Sequence, residues 1–115
     1  MINVIKRDGE QAEFSLNKTT EAIKKAFKAT GKEYNHEIRE LLCLRVTADF
    51  QSKMDGDTIG VEQIQDSVEH VLEQTGYTDV AKAYILYRKQ REKIRNMKNT
   101  ILDYKDVVNG YVKVE

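Results

Sequence analysis

Over the first fourteen residues apolar positions alternate with polar ones on either side of Asp8-Gly9, the period-two pattern of a half-buried strand. Asp-Gly suits a two-residue type I′ turn, because glycine takes positive φ without steric cost. Residues 2–7 are therefore predicted to pair with residues 10–14, with Lys6 and Arg7 pointing to opposite faces of the strand. The period then changes. Ala22, Ile23, Ala26 and Phe27 recur at helical spacing with lysines on the other face, predicting a first helix capped by Asn17 and ended by Gly31. A second helix is predicted over 35–51, with Ile38, Leu41, Leu42 and Ala48 on one side and Leu44 widening the stripe, so that it should make contacts on more than one side. After a loop at 54–57, Thr58-Ile59-Gly60-Val61 is β-branched enough for a third strand beside the hairpin. Glu62 and Gln63 open a third helix with Ile64, Val68, Val71 and Leu72 on its apolar face, closed by Gly76.

A fourth helix starts near Tyr77 and carries Val80, Ala81, Tyr84 and Tyr87 on one face. Arg88-Lys89-Gln90-Arg91 follows, and Ile94, Met97 and Ile101 keep the helical spacing beyond it. Residues 107–114 read instead as two short strands around Asn109-Gly110. A lone hairpin is marginal in water, which suggests that the chain is the front end of a longer protein.

Composition narrows the chemistry. A chain of 115 residues is expected to form one domain with one core. Its 19 basic and 19 acidic residues cancel, which argues against non-specific nucleic-acid binding as the main activity. Neither a membrane-spanning run nor a secretory signal is evident, so a cytoplasmic protein is expected. The single cysteine, Cys43, excludes an intrachain disulfide and a cysteine-rich zinc site, and reads as a small packing residue. His36 and His70 lack a partner at metal-ligand spacing and read as surface residues, so no metal site is expected.

No GxxxxGK(S/T) loop, GxGxxG turn, HExxH or CxxC is present, and no catalytic residues are expected. Two positive features remain, each with a plain alternative. Lys6 and Arg7 at the end of the first strand, with Lys18 in the first turn of the next helix, make a seat for an anionic ligand; alternatively they keep a charged hairpin tip soluble. Tyrosines followed by Arg88, Lys89 and Arg91 offer stacking and phosphate contacts, or else core tyrosines followed by a cation-rich helix end that the macrodipole favours. The chain looks like a binding or regulatory module.

Taken in order, four segments resemble the ATP-cone, a small nucleotide-binding domain of ribonucleotide reductases and of a transcriptional repressor of their genes. They are Val4-Ile5-Lys6-Arg7-Asp8-Gly9; Phe14-Ser15-Leu16-Asn17-Lys18 with Ala22 to Phe27; Val61-Glu62-Gln63-Ile64-Gln65-Asp66-Ser67-Val68-Glu69; and Gly76-Tyr77-Thr78-Asp79-Val80-Ala81-Lys82-Ala83-Tyr84 onward to Arg88. The resemblance implies an α+β, mainly α fold: a four-helix bundle capped by a small three-stranded sheet. It assigns residues 1–95 to the cone and 96–115 to a linker and the start of a catalytic domain. From Arg91 to the Asn109-Gly110 turn the tail looks like the junction into an anaerobic, glycyl-radical ribonucleoside-triphosphate reductase.

Carried over residue by residue, the resemblance puts Lys6, Arg7 and Lys18 near nucleotide phosphates. Val4, Phe14, Ser15 and Thr19 would surround base and sugar, Val61 and Gln65 would close the site, and Arg88, Lys89 and Arg91 would match a C-terminal basic patch. Where some members carry an acidic residue and a histidine, this chain has Ala12 and Gln65. The implied effector is ATP or dATP, with or without Mg²⁺. The implied partners are the parent catalytic domain and other copies of the cone. The rivals are the repressor's nucleotide sensor, which places a zinc ribbon ahead of the cone, and a degenerate cone acting as a protein- or nucleic-acid-interaction module.

Overall fold

The computed structural model describes the backbone of residues 2–114 and the side chains of residues 2–98. By its contacts the chain divides into two units, Met1–Ile85 and Leu86–Glu115. The first contains a three-stranded sheet of β1 (Asn3–Ile5), β2 (Gln11–Glu13) and β3 (Thr58–Gly60), together with helices α1 (Leu16–Thr30), α2 (His36–Gln51) and α3 (Val61–Gln74). The last helix, α4 (Thr78–Val114), begins in the first unit and makes up the second. Among the described residues four helices and a small mixed sheet give the mainly helical α+β fold expected.

β1 is central, antiparallel to β2 and parallel to β3. The hairpin differs from the prediction. Gly9 N–H donates to Lys6 O at 2.9 Å and Lys6 N–H donates to Glu10 O at 2.8 Å, so the loop is Arg7-Asp8-Gly9. Among the described residues only glycines have positive φ, and Gly9 has φ +88°. A turn with negative φ at its centre, followed by a left-handed glycine, is the three-residue hairpin loop. The extra loop residue sets Val4 opposite Ala12, where a two-residue turn would have set it opposite Glu13. A one-residue slip turns a strand's apolar face outward, so burial of Val4 selects the longer loop.

Helix ends follow local chemistry with two shifts. The N-cap of α1 is Ser15, whose Oγ accepts from Lys18 N–H at 3.4 Å, in place of the expected Asn17. Phe14 N–H is still donated to Ile2 O, so the chain passes from strand to helix within one residue. α3 starts at Val61, one residue early, with Gln63 Oε1 accepting from Gly60 N–H at 3.0 Å. Left-handed Gly31 ends α1 as predicted, and Asn35, where the second helix was expected to begin, is its N-cap, its Oδ1 accepting from Ile38 N–H at 2.9 Å.

The core joins Ile23, Ala26 and Phe27 of α1 to Leu42, Val46 and Phe50 of α2, Ile64, Val68, Val71 and Leu72 of α3, and Val80, Ala81 and Tyr84 of α4. The buried row of α2 departs from the predicted one: Leu41, Leu44 and Ala48 are exposed, while Val46 and Phe50 are buried. Residues 42, 46 and 50 lie four apart, the spacing of one helical ridge. The strands predicted at 107–114 are replaced by helix. Extending a formed helix adds a hydrogen bond for each residue ordered, whereas a lone hairpin has no sheet to join.

Candidate functional site

The register of the hairpin builds the site. Alternation along β1 places Val4 and Lys6 on one face, and the pairing adds Ala12, with Phe14 just beyond β2. The Phe14 ring is fixed edge-on against Phe50, with centroids 5.4 Å apart. Capping at Ser15 brings Lys18, Thr19 and Ala22 to the same side, three to seven residues into the turn of α1. The early start of α3 presents Val61, Ile64 and Gln65 from one face of its first turns, and Tyr84 comes from α4. These residues, with Glu13, line one cleft of about 210 Å³.

Its chemistry is divided. Val4 and Ile64 are buried and Phe14 and Val61 half-buried, forming an apolar wall. Ser15, Thr19 and Gln65 add half-buried polar groups, and the exposed Lys6 and Lys18 stand at the rim. Neither lysine makes an ion pair among the described residues. Lys6 and Val61 also border a second hollow with Arg7, Glu62 and Gln63. There Arg7 Nε donates to Glu62 Oε1 at 3.1 Å, and Arg7 Nη2 donates to Gln65 Oε1 at 3.0 Å. Arg7 therefore sits in the hairpin loop facing α3, not on the strand.

Nine of the twelve predicted residues thus lie in the first unit: eight line the cleft and Arg7 reaches it through Gln65. Arg88, Lys89 and Arg91 lie in the second unit, the first half-buried and the others exposed. Glu13, Ala22 and Ile64 line the cleft without having been singled out as site residues, and Tyr84 joins them from the tyrosine face read as a stacking surface or core. The helical ones were findable as neighbours three or four positions from predicted residues on the same face.

A larger hollow of about 490 Å³ lies between Leu16 and α2, lined by Cys43, Leu44 and Thr47. Its polar lining includes His36, whose Nε2 is 2.9 Å from Glu40 Oε1. Burial pushes the Cys43 thiol up from its ordinary value, consistent with a packing residue. Among the described residues no group of three His, Cys, Asp or Glu side chains could hold a metal ion, and no helix is long and apolar enough to cross a membrane.

The profile of the ATP cone domain matches residues 2–93. The chain is 41% identical over 105 residues to the ribonucleoside-diphosphate reductase subunit alpha of Chlamydia pneumoniae, covering 86% of this chain and 10% of that protein. It is 42% identical over 100 residues to the vitamin B12-dependent ribonucleoside-diphosphate reductase of Thermoplasma acidophilum, covering 83% and 12%. With the anaerobic ribonucleoside-triphosphate reductase of Haemophilus influenzae it shares 36% identity over 101 residues, covering 85% and 14%. The chain thus spans only 10% to 14% of the length of these relatives.

Proposed function

This chain belongs to the ATP cone domain family, and on that premise we propose that it is the allosteric nucleotide-binding domain of a ribonucleotide reductase. ATP bound here would permit ribonucleotide reduction in the catalytic body of the parent protein, and dATP would inhibit it. Among the reductase classes we favour the anaerobic ribonucleoside-triphosphate enzyme, from the tail after Arg91. In this reading residues 1–95 are the cone and residues 96–115 lead into the catalytic domain of a cytoplasmic enzyme.

The observation that carries the reading is the cleft itself, in which Lys6 and Lys18 stand over an apolar wall of Val4, Phe14 and Ile64. A nucleotide has that division, a polyphosphate at one end and a flat, largely apolar base at the other. Lys6, Lys18 and Arg7 would take the phosphates, since a triphosphate needs several donors and Arg adds a planar fork to the point charges of Lys. Phe14 and Val4 would pack on base and sugar beside Ser15 and Thr19, with Val61 and Gln65 closing the cleft. Arg88, Lys89 and Arg91 would add further cations. Mg²⁺ would enter on the phosphate oxygens of the nucleotide. ATP and dATP differ by one hydroxyl, so opposite outcomes require that each stabilise a different state, and association between cones is the candidate two-state element.

Calorimetric titration of the 115-residue chain with ATP, dATP and GTP, with and without Mg²⁺, tests the reading. Saturable binding of adenine nucleotides and exclusion of GTP are expected. A folded chain that binds none of them would be a degenerate cone.

A further inference from the structure

Glu62 belongs to none of the predicted site residues and does not line the cleft, yet it holds one of the site's cations. The Arg7 guanidinium crosses from the hairpin loop to the first turn of α3, its Nε on Glu62 Oε1 at 3.1 Å and its Nη2 on Gln65 Oε1 at 3.0 Å. Gln65 lines the cleft, and Glu62 borders the adjoining hollow beside Lys6. A carboxylate thus stands at the end of the site where Lys6 and Arg7 concentrate positive charge.

Resting on the nucleotide reading, we propose that Glu62 is a competing carboxylate that lowers the affinity of the site for polyphosphate and so sets its selectivity for ligand charge. An Arg fork recognises carboxylate and phosphate through the same planar donor edge. A phosphate that takes Arg7 must either displace Glu62 or share the guanidinium with it, and sharing brings two anions together. Either way the ligand binds against the Glu62 charge. The Glu62 side chain is 65% exposed and that of Arg7 31%, so the pair itself adds little to folding and its effect is to be sought in binding. The competition should grow with the phosphate charge of the ligand and fade where salt screens it.

The test compares wild type with Glu62→Gln, which keeps the side chain's length and its acceptor oxygen but removes the charge. Calorimetry with ATP, ADP, AMP and adenosine is run at low and at high ionic strength, with melting curves as the check on folding. ATP is expected to bind Glu62→Gln about three- to ten-fold more tightly, the release of an exposed ion pair plus its repulsion. The gain should fall from ATP to AMP, vanish for adenosine and shrink at high salt. On an Arg7→Ala background the part of the gain that comes from freeing the guanidinium is lost while direct repulsion between Glu62 and the phosphates remains, so the gain should persist in part and still fall from ATP to AMP. Glu62→Ala is the second variant if Glu62→Gln does not fold. Unchanged or weaker ATP binding in a folded Glu62 variant, with wild type binding normally, would overturn the proposal and leave the nucleotide reading standing. Absence of binding to wild type and variants alike would overturn the nucleotide reading, and this proposal with it.

Discussion

Lys6 and Lys18 reach the same cleft by different routes, one by strand alternation from Val4 and the other by its place three residues after the Ser15 cap. Both are exposed, so each should act through charge and not through packing. Lys6→Ala and Lys18→Ala are expected to leave the melting temperature within a few degrees of wild type and to weaken ATP and dATP about ten-fold, roughly one charge-assisted hydrogen bond. Calorimetry with unchanged affinities in both variants would show that phosphates bind elsewhere. Tyr34 makes a different prediction, about pH. Burial, with a further contribution from Cys43 and an opposing one from Arg39, pushes its phenol up from 10.0 to about 12. The folded state therefore favours the neutral phenol, and the unfolded chain ionises first as pH rises. This contribution to stability is complete below pH 10 and is lost between pH 10 and about 12. The side chain is only half-buried, so the loss is modest. Tyr34→Phe should flatten the fall in melting temperature over that window, and an identical fall in both proteins would exclude the phenol as its source.

At the scale of elements, the start of α1 connects stability to the site. The Ser15 Oγ bond is long at 3.4 Å, so Ser15→Ala should cost about 0.5–1 kcal/mol, the lower part of the N-cap range. Asn17→Ala lies inside the helix and should cost nearly nothing. Denaturant titrations showing the reverse order would restore Asn17 as the cap. The hairpin loop makes a parallel case. A side chain at Gly9 would meet no atom within 4 Å, so Gly9→Ala is opposed by its φ of +88° alone. The expected loss is about 1 kcal/mol, the scale of left-handed backbone strain. Gly31 and Gly76 likewise take positive φ at the ends of α1 and α3.

Across the molecule, the face of α2 that packs inward decides which leucines matter. Leu42 is fully buried and Leu44 is 71% exposed, two positions apart on one helix. Leu42→Ala should cost about 2–5 kcal/mol, while Leu44→Ala should stay near zero. Phe50 is buried at the centre and braces Phe14, so Phe50→Ala should both destabilise the fold by about 3–5 kcal/mol and loosen the cleft wall. A ligand that binds only the folded chain raises the melting temperature by mass action. ATP at about a hundred times its Kd should therefore add about 2.7 kcal/mol to wild type, and a thermal scan with no shift under saturating conditions would contradict binding to the folded state.

Much was legible in the sequence because it rests on local interactions. Periodicity in the apolar residues marked the elements through Gly76, the first turns of α4 were equally plain, and the need for a left-handed terminating residue identified Gly31. Lys6 and Lys18 could be named from the residues themselves, while Val4, Phe14, Ser15, Thr19, Val61 and Gln65 came only from the family resemblance. Tertiary structure decided the choices that local energies leave nearly balanced. Two hairpin loops suit Asp8-Gly9, and burial of Val4 chose the one that carries Arg7 to Glu62 and Gln65. Ser15 and Asn17 are both good caps, and the end of the strand pairing at Phe14 chose the earlier. Apolar residues on several sides of α2 allow more than one inward face, and packing chose the row through Leu42, Val46 and Phe50. In each case alternatives that differ little locally are separated by which one buries apolar area, a quantity that belongs to the assembled fold.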